Sequence, residues 1–284
     1  MPNRTQHQTN RLSWNEATKA HNSHKGDQAS FFRAGGDTLF PEERALLGEI
    51  AGKTLLHLQC NCGQDTLSIV ARLGAVATGV DISDEAIRFA RQLSEQSGIP
   101  ADYARADIYD FFVANLRKFE IVFSSYGAIC WLSDLAEWGR GIASCLQGGG
   151  RFVLVDFHPM FSMLDEDWRP RFDYMGGRPV EFESGIGDYV ALTGETAETD
   201  KLDVGVRDFR NPYPGVEYCW GIAEVVMALV DAGLRLTHFR EYDYCNGFRP
   251  FPDMSELGNR RYGAPPHLPG NIPLMFSLVA ESPA

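Results

Sequence analysis

Five short apolar segments alternate with helix-like segments between residues 53 and 159, and this alternation constrains the fold more than any other feature. The apolar segments are "KTLLHLQC", "AVATGVDI", "ADYARADI", "EIVFSSYG" and "GRFVLVDFHP". Of the helix-like segments between them, "SDEAIRFARQLSEQSG" is the clearest, with Ser83 as its N-cap and Gly98 at its end. Strands and helices that alternate in this way form right-handed βαβ crossovers. The pattern therefore predicts an α/β fold with a doubly wound parallel sheet.

Outside this region the pattern changes at both ends. Residues 1–13 are polar without periodicity, and we expect them to be disordered or loosely docked. Residues 160–216 are rich in Gly, Pro, Asp and aromatic residues, which predicts an insertion or lid rather than a second domain. "GIAEVVMALVDAGL" then predicts a helix, and "LRLTHFREYDY" and "IPLMFSLVAE" predict two more strands.

Composition narrows the choice of partners and location. A net charge of -12 and a pI near 5.0 disfavour nucleic acids and anionic membranes as partners. An apolar stretch of transmembrane length is absent and the N-terminus is not signal-like, so we expect a cytoplasmic protein. Six cysteines in 284 residues do not form a disulfide framework, and we expect reduced thiols.

The first strand-turn-helix segment, "LLHLQCNCGQDTLS", lies where nucleotide cofactors dock in such sheets. The second strand ends in Asp81, a position at which an acid accepts hydrogen bonds from ribose hydroxyls. A pyrophosphate requires a G-x-G-x-x-G loop, whereas residues 59–63 contain a single glycine. A cofactor without phosphates requires only a close backbone approach at Gly63 and a positive φ, which Asn61 tolerates. The loop therefore favours S-adenosylmethionine.

Two cysteines in this segment, Cys60 and Cys62, raise the alternative of a metal or redox site. The sequence contains no second pair of ligands at zinc spacing and no C-x-x-C turn. We therefore predict no metal, and we expect both thiols to be small buried side chains.

Taken in order, the motifs resemble those of class I S-adenosylmethionine-dependent methyltransferases of the bacterial small-molecule type, from about residue 30 to the end. "LLHLQCNCGQDT" is similar to the first motif of that superfamily, "GVDISDEAI" to the second and "ARADIYD" to the third. "FEIVFSSYGAICWLSDL" and "CLQGGGRFVLVDFHP" match its fourth strand and the glycine turn before its fifth. A bacterial branch with an "HLQC" first motif is the most similar. The resemblance implies a mostly parallel, seven-stranded Rossmann-like sheet with an antiparallel last strand.

The same resemblance implies roles for individual residues. Asp81 is expected at the ribose, Asp107 at the adenine amino group, and His57 where the superfamily usually has an acid near the methionine end. The segment "FFRAGG" is expected to fold over the cofactor, within a covering segment of residues 1–40 that precedes a methyltransferase domain of residues 41–284. The predicted cofactor residues are Arg33, Gly35, Gly36, His57, Gln59, Asn61, Gly63, Asp65, Thr66, Asp81, Ile82, Asp107, Ile108, Ser125 and Tyr126.

Methyl transfer from a sulfonium requires alignment, exclusion of water and, for a neutral nucleophile, a proton acceptor. We predict His158 in "VDFHP" as a general base oriented by Asp156, the alternative being a histidine that caps a turn before Pro159. Tyr126 either lies along the cofactor and contacts the substrate or packs under the lid. The predicted substrate contacts are Trp131, His158, Tyr218 and Trp220, the last two at the start of the helix after the lid, with core packing as the alternative. His21 and His24 are further candidates, although surface exposure is favoured for both.

The predicted function is methyl transfer from S-adenosylmethionine to a small molecule through an oxygen, nitrogen or sulfur atom, releasing S-adenosylhomocysteine. A thiol acceptor would require the least base catalysis, because thiols ionise near neutral pH. Two alternatives stay open. A Rossmann oxidoreductase fits the topology but not the loop, and a non-catalytic binding or structural protein of the same fold fits if the loop has lost the cofactor. We expect a monomer or a homodimer.

Overall fold

A computed structural model describes residues 1–23, 25–188, 206, 208–268 and 270–284. The helices in these ranges are α1 (Arg4–Ser23), α2 (Gln28–Arg33), α3 (Pro41–Leu47), α4 (Gln64–Leu73), α5 (Asp84–Ser97), α6 (Ile108–Ala114), α7 (Leu135–Cys145), α8 (Pro159–Ser162) and α9 (Ile222–Asp231). A short 3-10 turn, Ile129–Trp131, follows the fourth strand.

The strands of the main sheet are β1 (Thr54–Leu58), β2 (Val76–Asp81), β3 (Asp102–Arg105), β4 (Phe119–Ser125), β5 (Leu146–Phe157), β8 (Arg235–Tyr242) and β12 (Met275–Glu281). A two-stranded sheet consists of β6 (Arg178–Phe182) and β7 (Gly215–Cys219). A three-stranded sheet consists of β9 (Tyr244–Asn246), β10 (Ser255–Gly258) and β11 (Arg261–Gly263).

The main sheet has the order β3-β2-β1-β4-β5-β12-β8. β1 to β5 run parallel, and β12 lies antiparallel between β5 and β8. The predicted doubly wound sheet of seven strands, with an antiparallel last strand, is confirmed. Helices cover both faces: Ile121 and Phe123 of β4 pack in the core under α3 and α4, whereas Val122 packs in the core under α7 and α9. Burial on both faces explains the continuous apolar runs of these strands.

The prediction that residues 1–13 are disordered or loosely docked is wrong, because residues 4–13 belong to α1 and are docked through it. The buried face of this helix is polar, and its side chains bond to distant parts of the chain. The Asn10 side-chain amide donates to the Val216 carbonyl at 2.8 Å and accepts from the Val216 N–H at 2.7 Å. Ser13 accepts from the Ile186 N–H at 3.0 Å. A helix that docks through hydrogen bonds lacks the apolar periodicity by which sequence analysis detects helices.

In the predicted insertion, residues 160–216, the described residues form α8 and the antiparallel β6–β7 sheet. Tyr218 and Cys219 end β7, and α9 begins only at Ile222, so the expectation that Tyr218 and Trp220 open the helix is wrong. The alternating burial of "GVEYC" is that of a strand. The sequence analysis also missed α6 and the β9–β11 sheet, whose strands are too short for a periodic signal.

Within the ranges that the structure describes, no helix combines the length and the apolar character that a membrane crossing requires.

Candidate functional site

A cavity of about 1420 Å³ lies beyond the carboxyl ends of β1, β2, β4 and β5. Gln59, Asp81 and Ser125 line it from the strand ends, which is where doubly wound sheets bind ligands. Trp14 of α1 and Glu217 of β7 line it from the elements that lie over the sheet. A drug-sized ligand occupies a pocket of roughly 300–1000 Å³, so this cavity has room for two small molecules.

The loop after β1 has an unusual backbone. Gln59, Asn61 and Gly63 have φ values of 53°, 48° and 77°, so three alternate residues adopt the left-handed conformation that favours glycine. The Gln59 side-chain amide donates to the Ala128 carbonyl at 2.8 Å, and Asn61 Oδ1 accepts from the Cys62 N–H at 2.7 Å. These side chains hold the loop in a glycine-like shape. The positive φ expected for Asn61 is present, and Gln59 shares it.

Asp81 closes this loop from the end of β2. One carboxylate oxygen accepts from the Asn61 N–H and the other from the Ser83 N–H, both at 2.8 Å. Loss of hydration in the pocket raises the pKa of Asp81 to about 6. The neighbouring Ile82 also lines the cavity. A carboxylate oriented by two backbone N–H groups is suited to accept hydrogen bonds from the two hydroxyls of a ribose.

Asp107 lies buried at the end of β3, next to Ile108, and contacts α1. Its Oδ2 lies 2.7 Å from His7 Nδ1, and its Oδ1 lies 3.2 Å from a guanidinium nitrogen of Arg4. Burial favours the neutral carboxyl, but the hydrogen bond with His7 and the charges of His7 and Arg4 outweigh it and lower the pKa of Asp107. The His7 ring also stacks on Tyr109 at a centroid distance of 5.4 Å. Sequence analysis missed His7, since nothing in its surroundings distinguishes it from a surface residue.

His57 occupies the position where the superfamily usually has an acid. Its Nδ1 lies 2.8 Å from Thr66 Oγ1, and its ring packs 4.9 Å from that of Phe123. Burial lowers the pKa of His57 to about 3, so the ring is neutral at physiological pH. His57 therefore offers the cavity a hydrogen-bonding ring without a charge.

Most of the predicted site residues line the cavity. These are His57, Gln59, Asn61, Asp65, Asp81, Ile82, Asp107, Ile108, Ser125, Tyr126, Trp131, Asp156, Tyr218 and Trp220. The predicted residues outside the described lining are Arg33, Gly35, Gly36, Gly63, Thr66 and His158.

Arg33 is placed differently from the prediction. Its guanidinium donates to the Gln96 carbonyl at 2.6 Å and to Ser30 Oγ at 2.8 Å, on the exposed side of α2 and α5. The basic side chains among the described cavity residues are instead Lys25, Arg260 and Arg261. Arg260 lies in the turn between β10 and β11 with a φ of 57°, and its guanidinium carbon is 5.3 Å from the centre of the Phe40 ring. Arg260 and Arg261 were not predicted because the small sheet that presents them was not predicted.

Tyr126 combines backbone strain with a buried hydroxyl. Its φ of 34° is rare for a bulky residue and is typical of functional sites. The hydroxyl accepts from the Asn246 side-chain amide at 2.9 Å, and the ring packs 5.8 Å from that of Phe40. Burial and the nearby Glu43 raise the pKa of Tyr126, which keeps the hydroxyl protonated. Tyr126 is therefore placed to pack against or donate to a ligand, not to accept a proton.

His158 and Asp156 do not form the predicted acid-base pair. Asp156 accepts hydrogen bonds from the backbone N–H groups of residues 127–129 and 157, and these fix the loop after β4. His158 Nδ1 accepts from the Met160 N–H at 3.0 Å and so caps α8, while its Nε2 lies 2.9 Å from Glu241. The alternative interpretation, a histidine that caps the turn before Pro159, describes this geometry. We therefore do not retain His158 as a general base.

Comparison with known proteins agrees with this site. The sequence model of the "Methyltransferase domain" family matches residues 55–150. Residues 55–150 are therefore similar to a methyltransferase domain, in agreement with the motifs of the sequence. The match contains all of β1 except Thr54, all of β2 to β4, the left-handed loop, Asp81 and Asp107.

The chain is also similar to individual methyltransferases, both in sequence and in structure. A "Ubiquinone biosynthesis O-methyltransferase" of Methylobacterium sp. (strain 4-46) is 34% identical over 119 residues, which are 42% of this chain and 44% of that protein. The chain thus spans less than half the length of this relative. An S-adenosylmethionine-dependent methyltransferase structure from Mesorhizobium loti superposes with a TM-score of 0.51 at 21% identity, over 85% of this chain and 96% of that one. One from Clostridium acetobutylicum ATCC 824 has a TM-score of 0.52 at 11% identity, over 86% and 89%. These structures share the fold.

Among the elements that lie over the sheet, β7 brings to the cavity a carboxylate that was not predicted from the sequence. Glu217 lines the cavity, and within the described ranges its carboxylate has neither a hydrogen-bond nor an ion-pair partner. Burial raises the pKa of Glu217 to about 7. A glutamate in the middle of "GVEYCW" gives no sequence signal, because alternation alone does not tell which face of a two-stranded sheet meets a cavity.

The other histidine and cysteine candidates that the structure describes are buried side chains. His21 is buried, not exposed, and its Nε2 lies 3.3 Å from the Gly187 carbonyl, whereas His24 lies outside the described residues. Cys60 and Cys62 are buried free thiols, and burial raises the pKa of Cys62 to about 11. In the part of the chain that the structure describes, no group of three or more His, Cys, Asp or Glu side chains is arranged to hold a metal ion.

Proposed function

We propose that this chain transfers a methyl group from S-adenosylmethionine to a small molecule bound beside it in the cavity. The observation that carries the proposal is the left-handed loop at Gln59, Asn61 and Gly63, which faces the oriented carboxylate of Asp81. A loop of this shape lets a ligand approach the backbone closely, and it lacks the run of glycines that a pyrophosphate requires.

The fit of the cofactor follows from the chemistry of the lining. Asp81 would accept hydrogen bonds from the ribose hydroxyls, and Ile82 and Ile108 would enclose the adenine ring with apolar surface. Asp107, which the resemblance implies at the adenine amino group, is already engaged by α1, so α1 would cover the adenine end. This contact supports the prediction that residues 1–40 form a segment covering the cofactor.

The methionine end carries a carboxylate, and two cations of the cavity would bind it. Lys25 and Arg260 both lie near Asp65: burial raises the pKa of that carboxyl, and the charges of the two cations act to lower it. A ligand carboxylate placed near them would share the same positive potential. The neutral His57 would add no repulsion to it.

S-adenosylmethionine supplies an electrophilic methyl group on a sulfonium, so this chain's own residues have to align the acceptor and exclude water. Tyr126, strained at the end of β4 and packed against Phe40, lies where β4 meets the cavity and would hold the acceptor against the methyl group. Its protonated hydroxyl does not compete as a nucleophile. The names of the ubiquinone biosynthesis relatives indicate an oxygen acceptor for those proteins.

Isothermal titration with S-adenosylmethionine and with S-adenosylhomocysteine tests the proposal. We expect both to bind with micromolar dissociation constants, and we expect S-adenosylhomocysteine to form when the chain is incubated with S-adenosylmethionine and an acceptor. Absence of binding at millimolar ligand would refute the proposal. Binding without turnover over a broad panel of phenols, amines and thiols would favour the non-catalytic alternative.

A further inference from the structure

The strand β7 carries Glu217 on the side that faces the cavity. Its register with β6 places Glu217 opposite Val180, and both residues line the cavity. β7 packs against α1 and against the 3-10 turn Ile129–Trp131. The free edge of β7 is bound by Asn10, whose amide pairs with the backbone N–H and carbonyl of Val216. Glu217 therefore lies on a strand that is held along both edges.

Aromatic rings surround this part of the cavity. The Trp14 and Trp131 rings meet edge to face at 5.4 Å, and the Trp220 indole N–H donates to the Leu132 carbonyl at 2.6 Å. From the insertion, Phe172 and Phe182 pack together at 6.2 Å. The aromatic residues of this region that line the cavity are Trp14, Trp131, Phe172, Tyr174, Phe182 and Trp220. We refer to these six rings and Glu217 as the acceptor chamber.

A carboxylate without a partner among apolar rings is unfavourable, since a buried charge is costly unless it is paired. The raised pKa of Glu217 reflects that cost. The neighbouring groups do not offset this cost. The charge of Glu217 acts on the thiols of Cys130 and Cys219, and a thiol is not a cation. A ligand that brings a positive charge would pair the carboxylate and would also be attracted by the faces of the tryptophan rings.

We propose that the acceptor carries a basic nitrogen, which Glu217 recognises as the ammonium ion and deprotonates before methyl transfer. This proposal rests on the proposed function and names the substrate class of the same cavity. The charge of the lining also favours a cationic ligand. Among the described residues that line the cavity, acidic side chains outnumber the three lysine and arginine side chains, Lys25, Arg260 and Arg261.

The step is balanced in protons and electrons. One N–H proton of the ammonium passes to the Glu217 carboxylate, which leaves a neutral amine and a neutral carboxylic acid. The nitrogen lone pair then forms the new N–C bond while the C–S bond of the sulfonium breaks, and the bonding pair stays on sulfur. The products are a methylated ammonium ion and a neutral thioether. Glu217 then returns its proton to water.

The acceptor chamber lies outside the segment that the family comparison covers, apart from Trp131. The match to the methyltransferase domain ends at residue 150. Phe182 belongs to the insertion, Glu217 to β7 and Trp220 to the residues just after β7. The oxygen acceptor in the names of the relatives therefore says nothing about the residues that contact the acceptor here.

Matched pairs of ligands test the proposal whatever the natural substrate is. We suggest 2-phenylethylamine against 2-phenylethanol and tryptamine against tryptophol, titrated calorimetrically into the full chain saturated with S-adenosylhomocysteine at pH 8. Each pair differs in the charged group alone. An ion pair inside an aromatic chamber predicts that at least one amine binds about tenfold or more tightly than its alcohol.

Substitution of the carboxylate assigns the preference to Glu217. Glu217→Gln keeps the shape and removes the charge, so the amine preference should vanish while the affinity for S-adenosylhomocysteine stays unchanged. Glu217→Asp should keep a weaker preference. The matched control is Glu181→Gln, an exposed carboxylate of β6 that is not among the described cavity residues and should leave the preference intact.

The outcomes separate the two proposals. If S-adenosylhomocysteine does not bind to the unmodified chain, the proposed function fails. If it binds and neither amine exceeds its alcohol, or if Glu217→Gln retains the preference, the assignment of a basic nitrogen is overturned while the proposed function stands. A faster methylation of phenols than of amines, lost in Glu217→Gln, would also overturn it and would indicate a hydroxyl acceptor.

Discussion

The two sides of the cavity are built differently. On the side of β1 and β2, the polar side chains that line the cavity already have hydrogen-bond partners within the protein. Asp81 accepts from two backbone N–H groups, and Gln59 donates to the Ala128 carbonyl. On the side of β7, Glu217 has no partner in the described part of the chain and lines the cavity together with the aromatic rings of the acceptor chamber.

This difference indicates what each side binds. A preorganised loop meets its conformational cost during folding and suits a ligand whose shape does not vary, such as a cofactor. An unpartnered carboxylate leaves its electrostatic cost to be relieved by the ligand, which makes binding selective for charge. Disruption of the first side should therefore abolish cofactor binding, whereas changes on the second side should alter acceptor choice alone.

The largest effect is expected from Gly63→Ala. A Cβ at this position would lie 2.6 Å from the Tyr103 hydroxyl and 2.9 Å from the Ala90 Cβ, at a φ of 77°. Clash and backbone strain together should cost about 3 kcal/mol of stability and most of the affinity for S-adenosylmethionine. Urea unfolding and titration calorimetry measure the two effects.

Gly98→Ala is the control, because Gly98 has a φ of 73° and open space around the added Cβ. It should cost about 1 kcal/mol through backbone strain alone. Equal losses in the two variants would contradict the close packing of the cofactor loop.

Asp81→Asn should weaken S-adenosylmethionine binding about thirtyfold, or about 2 kcal/mol, because hydrogen bonds to a charged acceptor are lost. In the unsubstituted chain the same affinity should fall as the pH drops below about 6, where Asp81 becomes protonated. Calorimetric titrations between pH 5 and pH 8 measure both. Asp102→Asn, which alters an exposed carboxylate of β3, should bind normally, and an equal loss there would remove Asp81 from the site.

His57 predicts a pH dependence of stability. Its folded pKa of about 3 lies below the unfolded value near 6.5, so between these values the unfolded chain binds a proton that the native chain excludes. The stability from the neutral ring is present above pH 6.5 and is lost as the pH falls, by up to about 1.4 kcal/mol per pH unit. The difference in unfolding free energy between the natural chain and His57→Asn should shrink accordingly from pH 7.5 to pH 5.5. Parallel stability curves would show that His57 is not neutral and buried.

The smallest effect is expected at His158. His158→Ala should cost about 1 kcal/mol by removing the cap of α8, and His158→Asn should restore most of it, because asparagine is a favourable N-cap. Neither variant should change the turnover of methyl transfer. A large loss of turnover in both variants would return His158 to the role of general base and would weaken the assignment of Glu217.

The shape of the loop after β1 and the position of Asp81 beside it were largely predictable because their determinants are local. Gly63, Asn61 and Asp81 lie within one strand-turn-helix-strand unit, so spacing along the chain predicts which residues meet. The His158 prediction failed for a related reason: position after β5 is local information, but the direction of the ring depends on Glu241 and α8. The N-terminal helix escaped prediction because Asn10 and His7 dock it through hydrogen bonds instead of apolar burial.

By itself, the sequence determined the doubly wound sheet, the position of the loop after β1 and the acid that closes that loop. These follow from periodicity and from backbone preferences, which act between near neighbours. Only the tertiary structure decided which side chains form the acceptor chamber. Trp14, Trp131 and Glu217 are far apart in the chain and meet because α1, the 3-10 turn and β7 pack together over the sheet. Contacts between distant segments leave no mark in local periodicity, so the acceptor chamber emerges only when the chain is folded.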